Sequence, residues 1–547
     1  MQRWLVMCLV ALTATLAQGP KKLIATGWDN ADTARLRANL AEMEQRPFDG
    51  TVIRASLGEG HGWVGATFSA TPWEPAWLET AAADLKAITP RSFTDLFLWV
   101  GANPGNVDWF DDAGWQAVVE HWRLAARLAK QGNVRGLLFD PEPYTEPFRQ
   151  FDVSAQPQRA EHTFAAYEAK ARERGQEVMR AVAGEFPDLV LFCYFLNSVN
   201  AAIAAQPDPH GPLASSAYGL LPAFLNGWLD VAPPSVVMVD GCESAYRYNS
   251  KVEYLNAYHR IKGTCQRLVA PENRAKYRAQ VQVSFGVYLD AYVNPPTSPW
   301  YIDPKGETPV ARLRQNVEAA LEVADEYVWA YGEKHRWWPT PNRGVNETDW
   351  PTALPGIDHV FGFARNPLAW ATSRLAALGE RPNLALNGDF GQATVTTLDG
   401  PVTYREGGLP AGWSFWQAAE GGRGEWDREA GCRAPGSGRL TKIGNGCLIQ
   451  RLKVQPGERY LIRAQRRLEG QGQALIRVRW QTPDGKWFDE TRDQFLVPRP
   501  GADWQPLEGV VQIPEQVGYL VVLLSASGQE AETDRVWYDD VEILSLD

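Results

Sequence analysis

Short apolar runs alternate with amphipathic helical stretches over residues 22–381, and this alternation constrains the fold more than any other feature. Repeated strand–helix units predict a parallel sheet with helices packed outside it. Eight units over about 360 residues favour a (β/α)8 barrel over an open doubly wound sheet, because the open sheet is usually shorter. The apolar runs are Leu23–Trp28, Gly50–Arg54, Leu96–Val100, Leu137–Phe139, Leu189–Phe195, Val236–Asp240, Val281–Leu289 and Tyr327–Tyr331.

Helical periodicity fills the intervals between several of these runs. The first helix follows Asn30 or Asp32, either of which can accept hydrogen bonds from its first free N–H groups. The predicted helices are Asp32–Glu44, Asp112–Gln131, Gln158–Phe186, Val310–Ala324 and Pro367–Gly379.

The fourth apolar run leads directly into a pair of carboxylates. Leu137–Phe139 is typical of a strand buried on both faces, and Asp140 and Glu142 follow it at i and i+2. The alternation of a strand places both carboxyl groups on one side, at the strand's carboxyl end. Two adjacent buried carboxylates are costly unless they are paired or one is protonated. The arrangement therefore favours acid/base chemistry over a purely stabilising role.

The carboxyl ends of the other strands carry further polar and aromatic residues, and active sites of (β/α)8 barrels form at these ends. The predicted rim is rich in acids and aromatic rings, a combination that suits a ligand with flat apolar faces and hydroxyl groups. Its substrate-binding candidates are Trp28, Asp29, Arg54, Trp99, Tyr144, Asn197, Tyr288, Asp290 and Trp329.

The barrel region resembles secreted glycoside hydrolases, and its fourth strand resembles the Asp-Gly-x-Asp-x-Asp-x-Glu motif of family 18 chitinases. Gly136, Asp140 and Glu142 match the glycine, the last aspartate and the glutamate of that motif, whereas Arg135 and Leu138 replace its other two aspartates. Met238-Val239-Asp240 is one residue short of that family's sixth-strand motif, and Trp329 corresponds to its tryptophan beneath the sugar. The resemblance implies an exported enzyme that cleaves a poly- or oligosaccharide.

Glycoside hydrolysis requires one carboxyl group that protonates the leaving oxygen and another that attacks or activates water. We assign the acid to Glu142, because the like charge of Asp140 raises its pKa. The alternative for Glu142 is a carboxylate that caps a turn. The second carboxyl group is left open among Glu243, Asp240, Glu333 and Asp290, each of which could instead pair with an arginine.

Past Pro382 the composition changes to short alternating strands separated by Gly, Pro and Asp turns, which predicts an all-β sandwich over residues 382–547. Asn387-Gly388-Asp389-Phe390 and the closing Val536–Val541 segment resemble jelly-roll carbohydrate-binding modules of families 4, 9, 16 and 22. The resemblance implies a structural calcium at Asp389 or Asp540. It also implies sugar stacking by some of Trp413, Trp416, Trp480 and Trp487. The alternative is a structural sandwich that binds nothing.

Composition and the amino terminus restrict the partners. The net charge of −11 argues against nucleic acid and anionic membranes, which reward basic patches. Residues 1–17 have the pattern of a secretory signal peptide, so we expect a secreted or periplasmic protein without a membrane span. Export permits disulfides, and Cys432 and Cys447 could form one. We expect a monomer that needs no catalytic cofactor.

Other chemistries have less support. The chain has no Gly-x-Ser-x-Gly motif, and its seven histidines are scattered, so neither a hydrolase triad nor a metal site is indicated. The leading prediction is a glycoside hydrolase. The alternatives are a carbohydrate-binding protein on a barrel that has lost its activity, and a lyase or transglycosylase that uses the same cleft.

Overall fold

The computed structural model describes residues 21–105, 107–144, 149–340, 345, 348–397, 400–405, 408–499 and 503–547. The predicted signal peptide lies outside these residues. The chain divides into two compact units between Arg365 and Asn366. This division precedes the helix Pro367–Leu378, which the composition change at Pro382 assigned to the first unit. That helix buries Ala371 against Leu461 and Leu546 of the second unit.

Parallel strands form a nearly closed barrel in the first unit, which confirms the predicted fold class. The seventh strand has two segments: Val281–Val283 pairs with the sixth strand, and Phe285–Tyr288 pairs with the eighth. The first strand pairs with both the second and the eighth. The strands are Lys22–Gly27, Gly50–Arg54, Phe97–Pro104, Gly136–Asp140, Val190–Cys193, Val237–Asp240, Val281–Val283 with Phe285–Tyr288, and Tyr327–Gly332. Two short strands, Ala31–Asp32 and Ala66–Phe68, extend the sheet beside the second and third strands.

Helices lie between the strands, and side-chain caps fix where several of them begin. The Asp32 carboxylate accepts the Arg35 N–H at 2.7 Å. The fourth-strand helix starts at Phe164 and not at Gln158, because the Thr163 hydroxyl accepts the Ala166 N–H. The α-helices of the unit are Thr33–Met43, Glu79–Lys86, Asp112–Gln131, Phe164–Glu185, Ala201–Ala204, His210–Leu213, Leu221–Val231, Lys251–Lys262, Arg274–Gln280, Pro309–Val323, Trp350–Ala353 and Ile357–Arg365.

Large side chains fill the barrel's interior. Phe97 of the third strand contacts Phe192 of the fifth and Tyr327 of the eighth, with ring centroids 5.3 and 5.7 Å apart. All three residues are fully buried. Because the interior is a packed core and not a pore, a ligand can bind only at the barrel's mouth.

The second unit contains two five-stranded antiparallel sheets and a separate hairpin, as the predicted β-sandwich requires. The first sheet contains Ser414–Gln417, Asn445–Lys453, Tyr519–Ser527, Gln473–Gln481 and Gln494–Leu496. The second contains Arg423–Asp427, Ser437–Thr441, Arg535–Ser545, Arg459–Glu469 and Gln505–Gln512. The hairpin is formed by Thr394–Thr397 and Gly400–Thr403.

The disulfide suggested for the sandwich is not formed. All five described cysteines are free, including Cys432 and Cys447. Cys447 lies within a strand opposite Trp416, whereas the Cys432 N–H donates to the carboxylate of Asp539. Each cysteine is therefore held by its own local contacts.

A glycine on the seventh strand makes room for the aromatic residues at the barrel's mouth. A Cβ atom at Gly286 would lie 2.6 Å from the Tyr246 ring and 2.7 Å from the Trp329 ring. We expect Gly286→Ala to reduce the free energy of unfolding by about 1–3 kcal/mol, because both rings are buried and cannot move freely. Urea denaturation measures this loss.

Gly184→Ala is the matched control, because a Cβ atom there meets nothing within 4 Å and Gly184 lies in the helix Phe164–Glu185. This variant should gain up to about 1 kcal/mol from the higher helix propensity of alanine. Equal stability of Gly286→Ala and the parent protein would contradict the packing described here.

Candidate active site

The end of the fourth strand holds a hydrogen-bonded group of two acids and a phenol. The Tyr144 hydroxyl donates to Oδ2 of Asp140 at 2.7 Å and to Oε2 of Glu142 at 2.9 Å. The Glu142 N–H donates to the other carboxyl oxygen of Asp140. Asn103, from the third strand, donates to the Glu142 carbonyl and accepts the Tyr144 N–H. The spacing of i, i+2 and i+4 thus brings all three side chains together.

The Tyr144 hydroxyl contacts two carboxyl groups but carries one hydrogen. A phenol carries a single hydrogen, so both contacts of Tyr144 are full hydrogen bonds only when Asp140 or Glu142 is protonated. Burial, followed by the charge of Glu142, raises the pKa of Asp140 to about 7. Burial also raises the pKa of Glu142, while the hydrogen bond from Tyr144 opposes the rise. The group therefore retains a proton near neutral pH.

Two more acids follow the sixth and eighth strands of the barrel. Glu243 follows the sixth strand and begins the short 3-10 helix Glu243–Arg247. Burial, and then the charges of Glu142, Asp140 and Glu333, raise the pKa of Glu243 to about 9. Glu333 follows the eighth strand and accepts a hydrogen bond from the Tyr288 hydroxyl at 3.0 Å. Because these four carboxyl groups act on each other's protonation, they form one electrostatic unit.

Aromatic rings surround the four acids. Tyr194 stacks on Trp329 at 4.6 Å, and Tyr246 stacks on Tyr288 at 5.1 Å. Trp300 contacts the edge of Tyr288 at 5.5 Å and is 40% exposed. Tyr246, Trp300 and Tyr331 were not among the predicted residues. Tyr246 and Tyr331 lie near the carboxyl ends of the sixth and eighth strands, where barrel sites form, whereas Trp300 lies in the long loop after the seventh strand.

A cavity of about 220 Å³ lies beside Asp140. Several of the predicted substrate-binding residues line this cavity, so they lie close together in the structure. Its lining residues are Gly27, Trp28, Asn30, Arg54, Trp99, Asp140, Tyr144, Tyr194 and Tyr331.

Three acids predicted to belong to the site instead accept hydrogen bonds from backbone N–H groups inside the protein. Asp29 accepts the N–H groups of Trp337 and Trp338 and pairs with Arg35. Asp290 accepts the N–H groups that follow the eighth strand, and Asp240 accepts those of Leu196, Ser198 and Cys242. Each is at most 5% exposed, so the structure separates them from the four acids at the mouth.

Two other predicted ligand-binding residues are fully buried. Trp329 is 0% exposed, and its indole N–H donates to the Gly241 carbonyl at 2.8 Å. Asn197 is also 0% exposed, within the 3-10 helix Asn197–Asn200. A ligand at the mouth cannot touch either side chain, so Trp329 differs from the tryptophan that the family 18 resemblance implies.

The four tryptophans predicted to bind sugar in the sandwich fall into two classes. Trp413 stacks on Phe390, and Trp480 donates to the Arg492 carbonyl, and both belong to the core. Trp416 and Trp487 are 50% and 51% exposed. Trp487 lines a cavity of about 460 Å³ and lies against the Arg479 guanidinium, 4.4 Å from its ring centroid.

The two predicted calcium ligands, Asp389 and Asp540, contact protein groups. Asp540 pairs with Arg433 at 3.1 Å, and the Asp389 carboxylate accepts the Gly391 N–H. Within the described ranges, no three His, Cys, Asp or Glu side chains are arranged to hold a metal ion. The Asp389 and Asp540 carboxylates are thus engaged by protein groups, and the calcium site stays a prediction. None of the described helices has the length and apolar character needed to cross a bilayer.

Comparisons with known proteins give weak structural neighbours only. No protein-family model and no curated protein matches the chain. The active domain of bacteriophage CBA120 tailspike protein 4 is 11% identical with a TM-score of 0.23, over 30% of this chain and 21% of its own. A CBM4 structure is 18% identical with a TM-score of 0.21, over 29% of this chain and 99% of its own.

The CBM22-1–GH10 modules of Clostridium thermocellum xylanase 10B, complexed with xylohexaose, are 10% identical with a TM-score of 0.20. That alignment covers 24% of this chain and 26% of the xylanase structure. The chain thus spans about a quarter or less of the tailspike and xylanase structures. Similarity at this level carries no functional argument, so the function must be argued from the site.

The raised pKa of Asp140 has a consequence for stability. In the unfolded chain its pKa is about 3.9, so between that pH and about 7 the folded protein binds the extra proton and stability falls as pH rises. Asp140→Asn removes this loss. We expect the variant to gain on the order of 3 kcal/mol relative to the parent between about pH 4.5 and pH 7.5. Urea denaturation at both pH values measures the change.

Asp208→Asn serves as the control, because this aspartate lies on the surface and its carboxylate accepts only the local His210 N–H. Its stability relative to the parent should change little over the same range. A pH-independent difference for Asp140→Asn would mean that Asp140 ionises as it does in water.

Proposed function

We propose that the protein is a glycoside hydrolase whose acid catalyst is Glu142. The observation that carries this proposal is the Asp140–Tyr144–Glu142 group, which retains a proton near neutral pH and shares its electrostatics with Glu243. Hydrolysis of a glycosidic bond needs this combination of a protonated and an ionised carboxyl group on one site.

The acid role goes to Glu142 and not to Asp140 because of exposure. Asp140 is 2% exposed and both of its carboxyl oxygens already accept hydrogen bonds, so it is less available to a substrate oxygen than Glu142. Glu142 is half-buried and contacts Asp140 through the Tyr144 hydroxyl. The proton that the group retains can move from Asp140 to Glu142 through Tyr144, which passes its own hydrogen to Glu142 as it takes the hydrogen of Asp140. Glu142 then gives this proton to the leaving oxygen. Asp140 and Tyr144 are therefore positioning residues that restore the acid.

Glu243 is the proposed second carboxyl group. It is half-buried, and the charges of Glu142 and Asp140 act on it directly. A proton held by Glu142 or Asp140 removes a negative charge and so lowers the repulsion that raises the pKa of Glu243. This favours an ionised Glu243, which can attack the sugar or activate water. Glu333 is tied to Tyr288 and contributes negative charge that stabilises the oxocarbenium-like transition state.

Exposed tryptophans on the rim support a sugar ligand. Trp28 and Trp300, after the first and seventh strands, are 48% and 40% exposed. Their flat faces suit the apolar faces of sugar rings. In the sandwich, Trp416 and Trp487 offer the same kind of surface, and we propose that they hold the polymer. The amino-terminal signal pattern supports export to the periplasm or the medium, where such polymers occur.

The variants Glu142→Gln and Glu243→Gln test the two proposed catalytic carboxyl groups. Each should lower kcat on a natural glycan by about 10²–10⁴-fold, because each removes one of the two carboxyl groups. On an aryl glycoside with an acidic phenol as leaving group, Glu142→Gln should lose much less, since that leaving group needs no proton. Kinetics on both substrates measure the difference.

Glu79→Gln is the control, since Glu79 is an exposed residue at the start of the helix Glu79–Lys86. It should leave kcat unchanged. If purified protein binds glycans but never releases products, the protein is a carbohydrate-binding protein. An unsaturated sugar among the products would identify a lyase, and longer oligomers a transglycosylase.

The sandwich prediction concerns Trp416→Ala and Trp487→Ala. Removing one stacking ring should weaken adsorption to an insoluble polysaccharide several-fold, while hydrolysis of a short soluble substrate stays unchanged. Pull-down with the polysaccharide measures the affinity. Val252→Ala, which truncates an exposed apolar residue of the barrel, is the control. Unchanged adsorption of both tryptophan variants would favour a purely structural sandwich.

A further inference from the structure

Arg54, a cation at the barrel's mouth, forms no ion pair with the described residues. Arg54 is the last residue of the second strand, and it lines the cavity beside Asp140. Its guanidinium carbon lies 5.1 Å from the centroid of the Trp99 ring. Within the part of the chain that the structure describes, no Asp or Glu oxygen lies within 4.0 Å of its guanidinium nitrogens, and its Nε is buried without a hydrogen-bond partner.

Two other arginines around the mouth have partners for their guanidinium groups. Arg35, near the end of the first strand, pairs with Asp29 at 2.7 Å, and Arg247 donates to the Pro299 carbonyl. A half-buried guanidinium that lacks both an ion pair and a hydrogen bond at Nε is costly, because its lost hydration is not replaced. A group that arrives with the ligand can replace it.

The composition of the cavity indicates the charge of that group. Asp140 is the one carboxylic acid among the described residues that line it, and it is already bound to Tyr144 and to the Glu142 N–H. The remaining polar groups are Asn30 and the phenols of Tyr194 and Tyr331, which are neutral. Arg54 therefore forms no ion pair with the described residues that line the cavity, Asp140 included.

We propose that Arg54 binds an anionic group, a carboxylate or a sulfate ester, on the sugar ring that occupies this cavity. The inference rests on the proposed function and narrows it to acidic glycans. Both groups present oxygen atoms that match the planar fork of a guanidinium, and the Trp99 ring holds that plane in place. A cavity of about 220 Å³ is smaller than a drug-sized site and suits a single sugar ring.

The test measures binding apart from catalysis. Calorimetry on the Glu142→Gln protein compares uronate oligosaccharides with the same oligosaccharides after their carboxylates are reduced to alcohols. A second arm compares sulfated oligosaccharides with their desulfated forms. We expect at least tenfold tighter binding of the acidic member of one pair. The arm that shows the preference identifies the anion.

Arg54 is then changed in the same background. Arg54→Gln, which keeps N–H donors but loses the charge, should abolish the preference for the acidic oligosaccharide. Arg54→Lys keeps the charge but loses the fork, and it should retain part of the preference. Raising the salt concentration tenfold should weaken the parent's binding to acidic oligosaccharides more than its binding to neutral ones. The salt comparison needs no Arg54 variant, so it holds even if a variant folds poorly.

Equal affinity for both members of both pairs would overturn the inference, as would binding of none of them. A preference that survives in a folded Arg54→Gln protein would overturn it too. If the parent protein binds acidic oligosaccharides tightly but releases no products, the role of Arg54 is upheld and only the proposed hydrolysis is refuted. The failure of the one idea is thus distinct from the failure of the other.

Discussion

The structure of the barrel's mouth depends on how the free-energy cost of burying seven acidic side chains is reduced. Asp29, Asp240 and Asp290 are enclosed, and backbone N–H groups from other loops satisfy them. Asp140, Glu142, Glu243 and Glu333 face each other with fewer donors. Hydrogen bonds from the backbone lower the free-energy cost of burying Asp29, Asp240 and Asp290. Retained protons lower this cost for the other four acids. Buried carboxyl groups are therefore bonded to loop N–H groups in one place and retain protons in another.

Local patterns predicted most of the fold. Apolar runs located all eight strands, because a strand buried on both faces must be apolar throughout. The predicted helix Asp112–Gln131 agrees with the structure residue for residue. The start of the helix Phe164–Glu185 was misplaced, since the cap at Thr163 depends on one hydroxyl contact and not on periodicity.

The candidate site was predictable where neighbours in sequence are neighbours in space. Asp140, Glu142 and Tyr144 come together because they lie at successive alternate positions past one strand. The sequence could not show that Asp240 is saturated by Ser198 and Leu196, since those donors come from a different loop. The position of Trp329 is likewise typical of an aromatic residue at a strand end. The hydrogen bond from its indole N–H to the Gly241 carbonyl instead holds the side chain in the core.

The three enclosed aspartates bear on the surroundings in which the barrel keeps its shape. Burial raises the pKa of Asp29, Asp240 and Asp290, so each holds a proton more firmly in the folded chain than in the unfolded one. Mild acid commonly weakens proteins whose carboxylates form ion pairs, but it acts on these three groups in the opposite direction. Through these three carboxyl groups, acid shifts the equilibrium towards the folded chain.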